Sequence, residues 1–175
     1  DAVGNHTLAL REVIRGLGCE SEIFSMFRHP DLMSDTHYVD HLPPDADIVI
    51  YQFSIGSPVA ERWAQHPALK IANYHNITPI SLVGKWDGLL AAEVQLGRDQ
   101  MARYAAHCDH AICDSDFNKS VSLILFSFSK LFYFYKCLFS CCSDNLYSKN
   151  VIKYSQAKPC LDSVLIHLRQ DLFNS

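Results

Sequence analysis

Leu69-Lys70-Ile71-Ala72-Asn73-Tyr74-His75-Asn76-Ile77-Thr78-Pro79 joins a mostly apolar run to a polar cluster. Beyond Ala72, an imidazole, two amides and a hydroxyl fall within six residues and stop at a proline. Open α/β sheets carry out their chemistry in the crevice beyond the carboxyl ends of their strands. An apolar strand that ends abruptly in polar side chains marks such an edge. Residues up to Lys119 read as scaffold around this strand end.

Upstream, Leu8, Leu10, Val13, Ile14 and Leu17 recur at helical spacing opposite Arg11, Glu12 and Arg15, which predicts a helix over His6 to Leu17. Asn5 fits its N-cap, and Gly16 or Gly18 its stop. Glu22 to Phe27 reads as a short strand and Arg28 to Pro44 as a long polar connection. Within Ala46 to Phe53, Ile48-Val49-Ile50-Tyr51 is the continuous apolar run of a strand buried on both faces. Ser54 to Pro58 ends it, and a short helix covers Val59 to His66. Leu69 to Tyr74 is the next strand, Leu89 to Ala106 has long-helix composition, and His110 to Cys113 is a fourth short apolar run. Asp114-Ser115-Asp116 closes that run, and Ser115 or Asp116 would cap a helix from Phe117. The order helix, strand, strand, helix, strand, helix, strand predicts an α/β domain with a mainly parallel sheet and helices on both faces. Ser54, His75 and Asp114 would line one edge of it.

The net charge of −4, with no stripe of Lys or Arg, argues against a nucleic-acid or anionic-membrane surface as the main business of the chain. Seven cysteines are an odd number, contain no CxxC pair, and include the adjacent Cys141-Cys142, so neither a zinc nor a disulfide framework is indicated. Reduced thiols in a cytoplasmic protein are the simplest reading. The chain opens at Asp1 without a charged-then-apolar leader, and its start inside a loop predicts a strand upstream that is absent. His29, Asp31, Asp35, His37, Asp40 and His41 are too irregularly spaced to suggest a metal site.

Composition changes at about Lys119. All seven glycines lie at or before Gly97, the last glutamate is Glu93, and Ala157 is the single alanine from Ser120 onward. Val121 to Cys142 has roughly transmembrane length, but Lys130 and Lys136 make a span costly, and neither a 3.6 nor a 2 period is clean. Residues 120–175 therefore read as a Phe-, Ser-, Leu- and Cys-rich tail outside the fold, the product of a frameshift, a read-through or a mis-joined exon. The other reading is a genuine interfacial segment, which would give peripheral membrane association.

Across residues 1–119 the chain resembles the N-terminal, acceptor-side domain of retaining glycosyltransferases of the GT-B fold, family 4. The likeness is carried by Asp1-Ala2-Val3-Gly4-Asn5, Leu8-Ala9-Leu10-Arg11-Glu12-Val13 and Gly18-Cys19-Glu20-Ser21-Glu22-Ile23. It continues through Asp47-Ile48-Val49-Ile50-Tyr51 and Ser54-Ile55-Gly56-Ser57-Pro58. Its most specific pieces are Asn73-Tyr74-His75-Asn76-Ile77-Thr78-Pro79 and Asp114-Ser115-Asp116-Phe117-Asn118. The ordered set, rather than any one piece, makes the resemblance.

That resemblance implies one Rossmann-like half of a two-domain enzyme that moves a sugar from a nucleotide-sugar co-substrate to an acceptor hydroxyl with retention. The acceptor would be a sugar, a lipid or a small molecule, and no cofactor or metal is implied. Nothing after Ser120 matches the donor-side half, so the chain reads as a fragment whose activity by itself is in question. By the same resemblance His75 faces the transferred sugar and is the catalytic candidate. Gly4 and Asn5 form the loop before the first helix, where backbone N–H groups approach the diphosphate and acceptor. Asn76 and Thr78 orient the His75 loop or contact acceptor, although Asn and Thr before proline are also ordinary turn chemistry. Ser115 contacts ligand or simply caps a helix. No GxGxxG fingerprint is present, which argues against a dinucleotide-binding enzyme. The competing reading is a non-catalytic α/β carbohydrate- or partner-binding module.

Overall fold

The computed structural model describes residues 2–113, 115–118 and 120–121, and the backbone of a strand at 164–169. The elements run α1 (Ala2–Gly16), β1 (Glu20–Ser25), β2 (His37–Tyr38), β3 (Ile48–Phe53), α2 (Val59–Gln65), β4 (Leu69–Tyr74), α3 (Ile80–Val83), α4 (Gly88–Tyr104), β5 (His110–Cys113) and β6 (Val164–Arg169). The chain is α/β. Its strands form one sheet in the order β2-β1-β6-β3-β4-β5.

Alternation along the strands divides the apolar side chains into two cores. Successive strand residues point to opposite faces. Val49, Tyr51 and Phe53 of β3 join Ala72 and Tyr74 of β4 against α2 and α4, with Trp63, Val94 and Met101 at the centre. Ile48 and Ile50 lie with Ile23 and Ile71 on the other face, under Leu8, Leu10 and Ile14 of α1. Helices therefore cover both faces, and the β-branched run at 48–51 has no polar face because neither side meets water. Asp87 caps α4, its carboxylate accepting from Leu90 N at 2.9 Å.

Pairing is parallel for β1 with β2, β3 with β4 and β4 with β5. β6 runs antiparallel to both its neighbours, in a register that sets Ile166 opposite Ile23 on one side and Ile50 on the other. Residues 120–175 are thus not wholly outside the fold: six of them supply the strand between β1 and β3. The physical reason is the ladder. Two facing rows of backbone N–H and C=O groups need partners, and Val164-Leu165-Ile166-His167-Leu168-Arg169 is an extended, mostly apolar segment that supplies them. The apolar run at 122–142, together with Asp114 and Lys119, lies outside the described residues.

Smaller differences have local causes. α1 begins at Ala2, a full turn earlier than the predicted His6, so Gly4 and Asn5 sit inside its first turn and not in a loop before it. Gly4 is buried in that turn, and Thr7 Oγ1 donates back to Val3 O at 2.8 Å. β1 starts at Glu20, two residues before the predicted Glu22, because its register with β6 extends to Glu20 opposite Arg169. The polar connection over 28–44 contains β2 and the 3₁₀ turns Pro30–Leu32 and Val39–His41. Among the described residues no helix is long and apolar enough to cross a membrane.

Candidate functional site

From β1 the chain moves outward to β2, then crosses to β3 and proceeds the other way through β4 and β5. The strand order therefore reverses around β6, and a reversal of this kind opens a crevice at the carboxyl edge. α1 reaches the same edge with its first turn, since its last turn leads through Leu17 and Gly18 into the start of β1.

At that edge β3 and β4 end in register, Gln52 opposite Asn73 and Phe53 opposite Tyr74. The backbone N–H of His75 donates to Phe53 O at 2.9 Å and extends the pairing one residue further. Gln52 and Asn73 share the strand parity of Ile50 and Ile71, so both point to the face covered by α1. Asn73 Nδ2 donates to Gln52 Oε1 at 2.8 Å, and His75 Nε2 lies 2.6 Å from the same oxygen. From α1, the His6 ring meets the His75 ring edge-on, with centroids 4.9 Å apart. Gln52 and Asn73 are 0% and 1% exposed, while His75 is half-buried. Gln52 Nε2 and Asn73 Oδ1 are buried without a hydrogen-bond partner among the described residues. Each such group costs about 1–3 kcal/mol.

The loop that follows is held from outside. Asn76 adopts φ 54°, in the left-handed region that Asn tolerates better than most residues. This turn exposes Asn76 and buries Ile77 fully. Arg98 on α4 donates to Ile77 O at 2.8 Å. Thr78 is half-buried, and Pro79 precedes α3.

The loop after β3 is fastened to the same helix. Gly56 N donates to Glu93 O at 3.0 Å. The Gln100 amide brackets Ser57, accepting from its N–H at 2.9 Å and donating to its C=O at 2.8 Å. At Gly97 an added Cβ would fall 2.8 Å from Gly56 N, so two glycines permit the close approach of α4. On the opposite face of β3, burial pushes the Tyr51 phenol well above its ordinary value. That phenol belongs to the core.

The residues singled out from sequence separate accordingly. His75 meets the first turn of α1, which contains Gly4 and Asn5, through His6. Asn76 and Thr78 occupy the loop beyond His75. Ser115 follows β5, one strand further along the same edge, where its Oγ accepts from Asn118 N at 3.1 Å and acts as a cap. Sequence reasoning missed Gln52 and His6 and did not single out Asn73. The available signal was a glutamine between Tyr51 and Phe53 in a strand with two buried faces, where a polar side chain must find partners.

Three of the acids and imidazoles of the 28–44 connection, Asp35, His37 and Asp40, are tied to the scaffold. Asp35 accepts from Arg11 through its carboxylate and its C=O, both at 2.7 Å. His37 lies 3.5 Å from Glu22, and Asp40 pairs with Arg62 of α2. Among the described residues, no group of three or more His, Cys, Asp or Glu side chains is placed to hold a metal ion. Comparison with protein-family models, characterised proteins and solved structures yields no match.

Proposed function

We propose that the chain is the acceptor-side, Rossmann-like half of a GT-B retaining glycosyltransferase. The observation that carries the reading is the His75–Gln52–Asn73 cluster at the carboxyl edge of parallel strands, with His6 on the first turn of α1 against it. Retaining transfer of this class asks the protein to position an acceptor hydroxyl and to stabilise charge on the leaving phosphate and on an oxocarbenium-like sugar. In this role His75 hydrogen-bonds a sugar hydroxyl. Asn76 and Thr78 shape the loop around it, the turn containing Gly4 and Asn5 forms the opposite wall, and Ser115 lies at the margin. The nucleotide sugar is a co-substrate bound mostly by a donor-side half, so acceptor binding is the property to assay on this chain.

The test is titration with neutral glycosides by calorimetry or NMR, comparing the full chain with His75→Ala. Loss of one ligand hydrogen bond of about 1–1.5 kcal/mol weakens binding roughly tenfold. His75 is half-buried, so thermal stability should change much less than binding. Unchanged glycoside affinity in a folded His75→Ala variant would remove His75 from the site. In a complete two-domain enzyme the same substitution is expected to lower turnover far more than stability.

A second reading, a non-catalytic carbohydrate- or partner-binding module, is favoured by one observation: the tail contributes β6 to the middle of the sheet. That gives the tail a structural role that a mis-joined segment would not be expected to have. Glycoside binding without any nucleotide-sugar turnover, when a donor-side half is supplied, would favour this reading.

A further inference from the structure

We propose that Gln52 is the positioning residue that fixes the tautomer of His75, and so decides which ring nitrogen can accept a hydrogen bond from a ligand. This rests on the reading of His75 as the ligand-contacting side chain. The argument starts from an atom that cannot donate. Gln52 Oε1 is a carbonyl oxygen, and two nitrogens converge on it, Asn73 Nδ2 at 2.8 Å and His75 Nε2 at 2.6 Å. A nitrogen lone pair facing an oxygen lone pair at that separation is repulsive, so each nitrogen must bring a hydrogen. Asn73 supplies one from its amide. His75 must supply the other from Nε2. In the neutral ring Nδ1 then carries the lone pair.

Gln52 cannot turn independently of Asn73. It is paired in register with Asn73 on the neighbouring strand, both are fully buried, and the Asn73 amide polarity dictates which end of Gln52 faces inward. Turning Gln52 alone would set two NH₂ groups against each other. Only turning both amides would reverse the pattern, and that arrangement would place the proton on Nδ1 of His75. The two arrangements therefore differ in something directly measurable. The order of control runs from the coupled Asn73–Gln52 amide pair to the imidazole at the edge of the crevice.

The experiment is long-range ¹H–¹⁵N correlation spectroscopy of the full chain with labelled histidine, the His75 signals being assigned by their loss in His75→Ala. The expected pattern is a protonated Nε2 with an aprotic Nδ1 in the neutral ring. Protonated Nδ1 with aprotic Nε2 would overturn the proposal, and this arm needs no variant at position 52. Gln52→Glu keeps an acceptor toward His75 and Asn73, and is expected to retain the Nε2–H pattern. Gln52→Leu removes the acceptor and is expected to give a mixture of tautomers and about fivefold weaker glycoside binding. A single Nε2–H tautomer persisting in folded Gln52→Leu would show that something else sets it. If the wild-type pattern is as expected but no glycoside binds, the positioning role stands and the glycosyltransferase reading fails.

Discussion

Replacing Gly97 by alanine sets two well-defined effects against each other. In an exposed stretch of helix, Gly→Ala stabilises by about 1 kcal/mol, because glycine forfeits more backbone entropy and alanine is the better helix former. At Gly97 the new Cβ would lie 2.8 Å from Gly56 N and 2.9 Å from Ile55 C, at least 0.5 Å inside ordinary van der Waals contact, which begins at 3.4 Å. Both obstructing atoms are backbone, so no rotamer change relieves the clash. α4 must move off the loop after β3, and the bond from Gly56 N to Glu93 O lies in the same seam. Overpacking of this kind costs about 1–3 kcal/mol, and a strained or broken hydrogen bond adds about 1. After the helix gain is subtracted, Gly97→Ala should destabilise by about 1–3 kcal/mol. For a chain of this size that lowers Tm by roughly 2–4 °C for each kcal/mol. Gly16→Ala is the control, at the last residue of α1, where an added Cβ meets nothing within 4 Å. It should stabilise by about 0.5–1 kcal/mol. Urea unfolding of both variants beside the wild type measures the difference. If Gly97→Ala stabilises as much as Gly16→Ala, the seam between α4 and the site loop is not close-packed and the reasoning fails.

Two further outcomes follow from particular residues. Burial pushes the Cys108 thiol up to about 11; bonds to the backbone at Ala72 and His110 act against it, Asp109 adds to it and Lys70 opposes it. The folded chain thus keeps a proton that the unfolded chain releases from about pH 9, so stability falls as pH rises from 9 toward 11, by on the order of 2–3 kcal/mol. Cys108→Ala should flatten that part of the wild-type pH profile, and an identical slope in both proteins would contradict it. Ile166→Pro places a residue without an N–H in a strand paired on both sides. It should destabilise the full chain by at least about 2 kcal/mol, measured by urea unfolding, whereas an unchanged midpoint would mean that β6 contributes little to the folded state.

Legibility in the sequence followed how local each feature is. Leu69–Tyr74 and His110–Cys113 were readable to the residue, because short apolar runs bounded by polar residues need no distant partner to define them. The ends of α1 and β1 were not, since burial of Gly4 and pairing of Glu20 with Arg169 are tertiary events. β2 has two residues and exists only through its register with β1. The composition of the tail conceals that Val164 to Leu168, His167 apart, is an apolar stretch of strand length. At the candidate site, His75 stood out because it follows an apolar strand. Gln52 did not, because a reading by hydrophobic run passes over a single polar residue, whereas strand parity assigns it to the face of Asn73 and α1.

Chemical-shift mapping of the ¹⁵N-labelled full chain during titration with a neutral glycoside tests the glycosyltransferase reading most directly. Acceptor binding at the carboxyl edge predicts saturable shifts at His6, Gln52, His75 and Asn76, reduced about tenfold in affinity by His75→Ala. Shifts confined to the 28–44 connection, or none at millimolar glycoside, would contradict it.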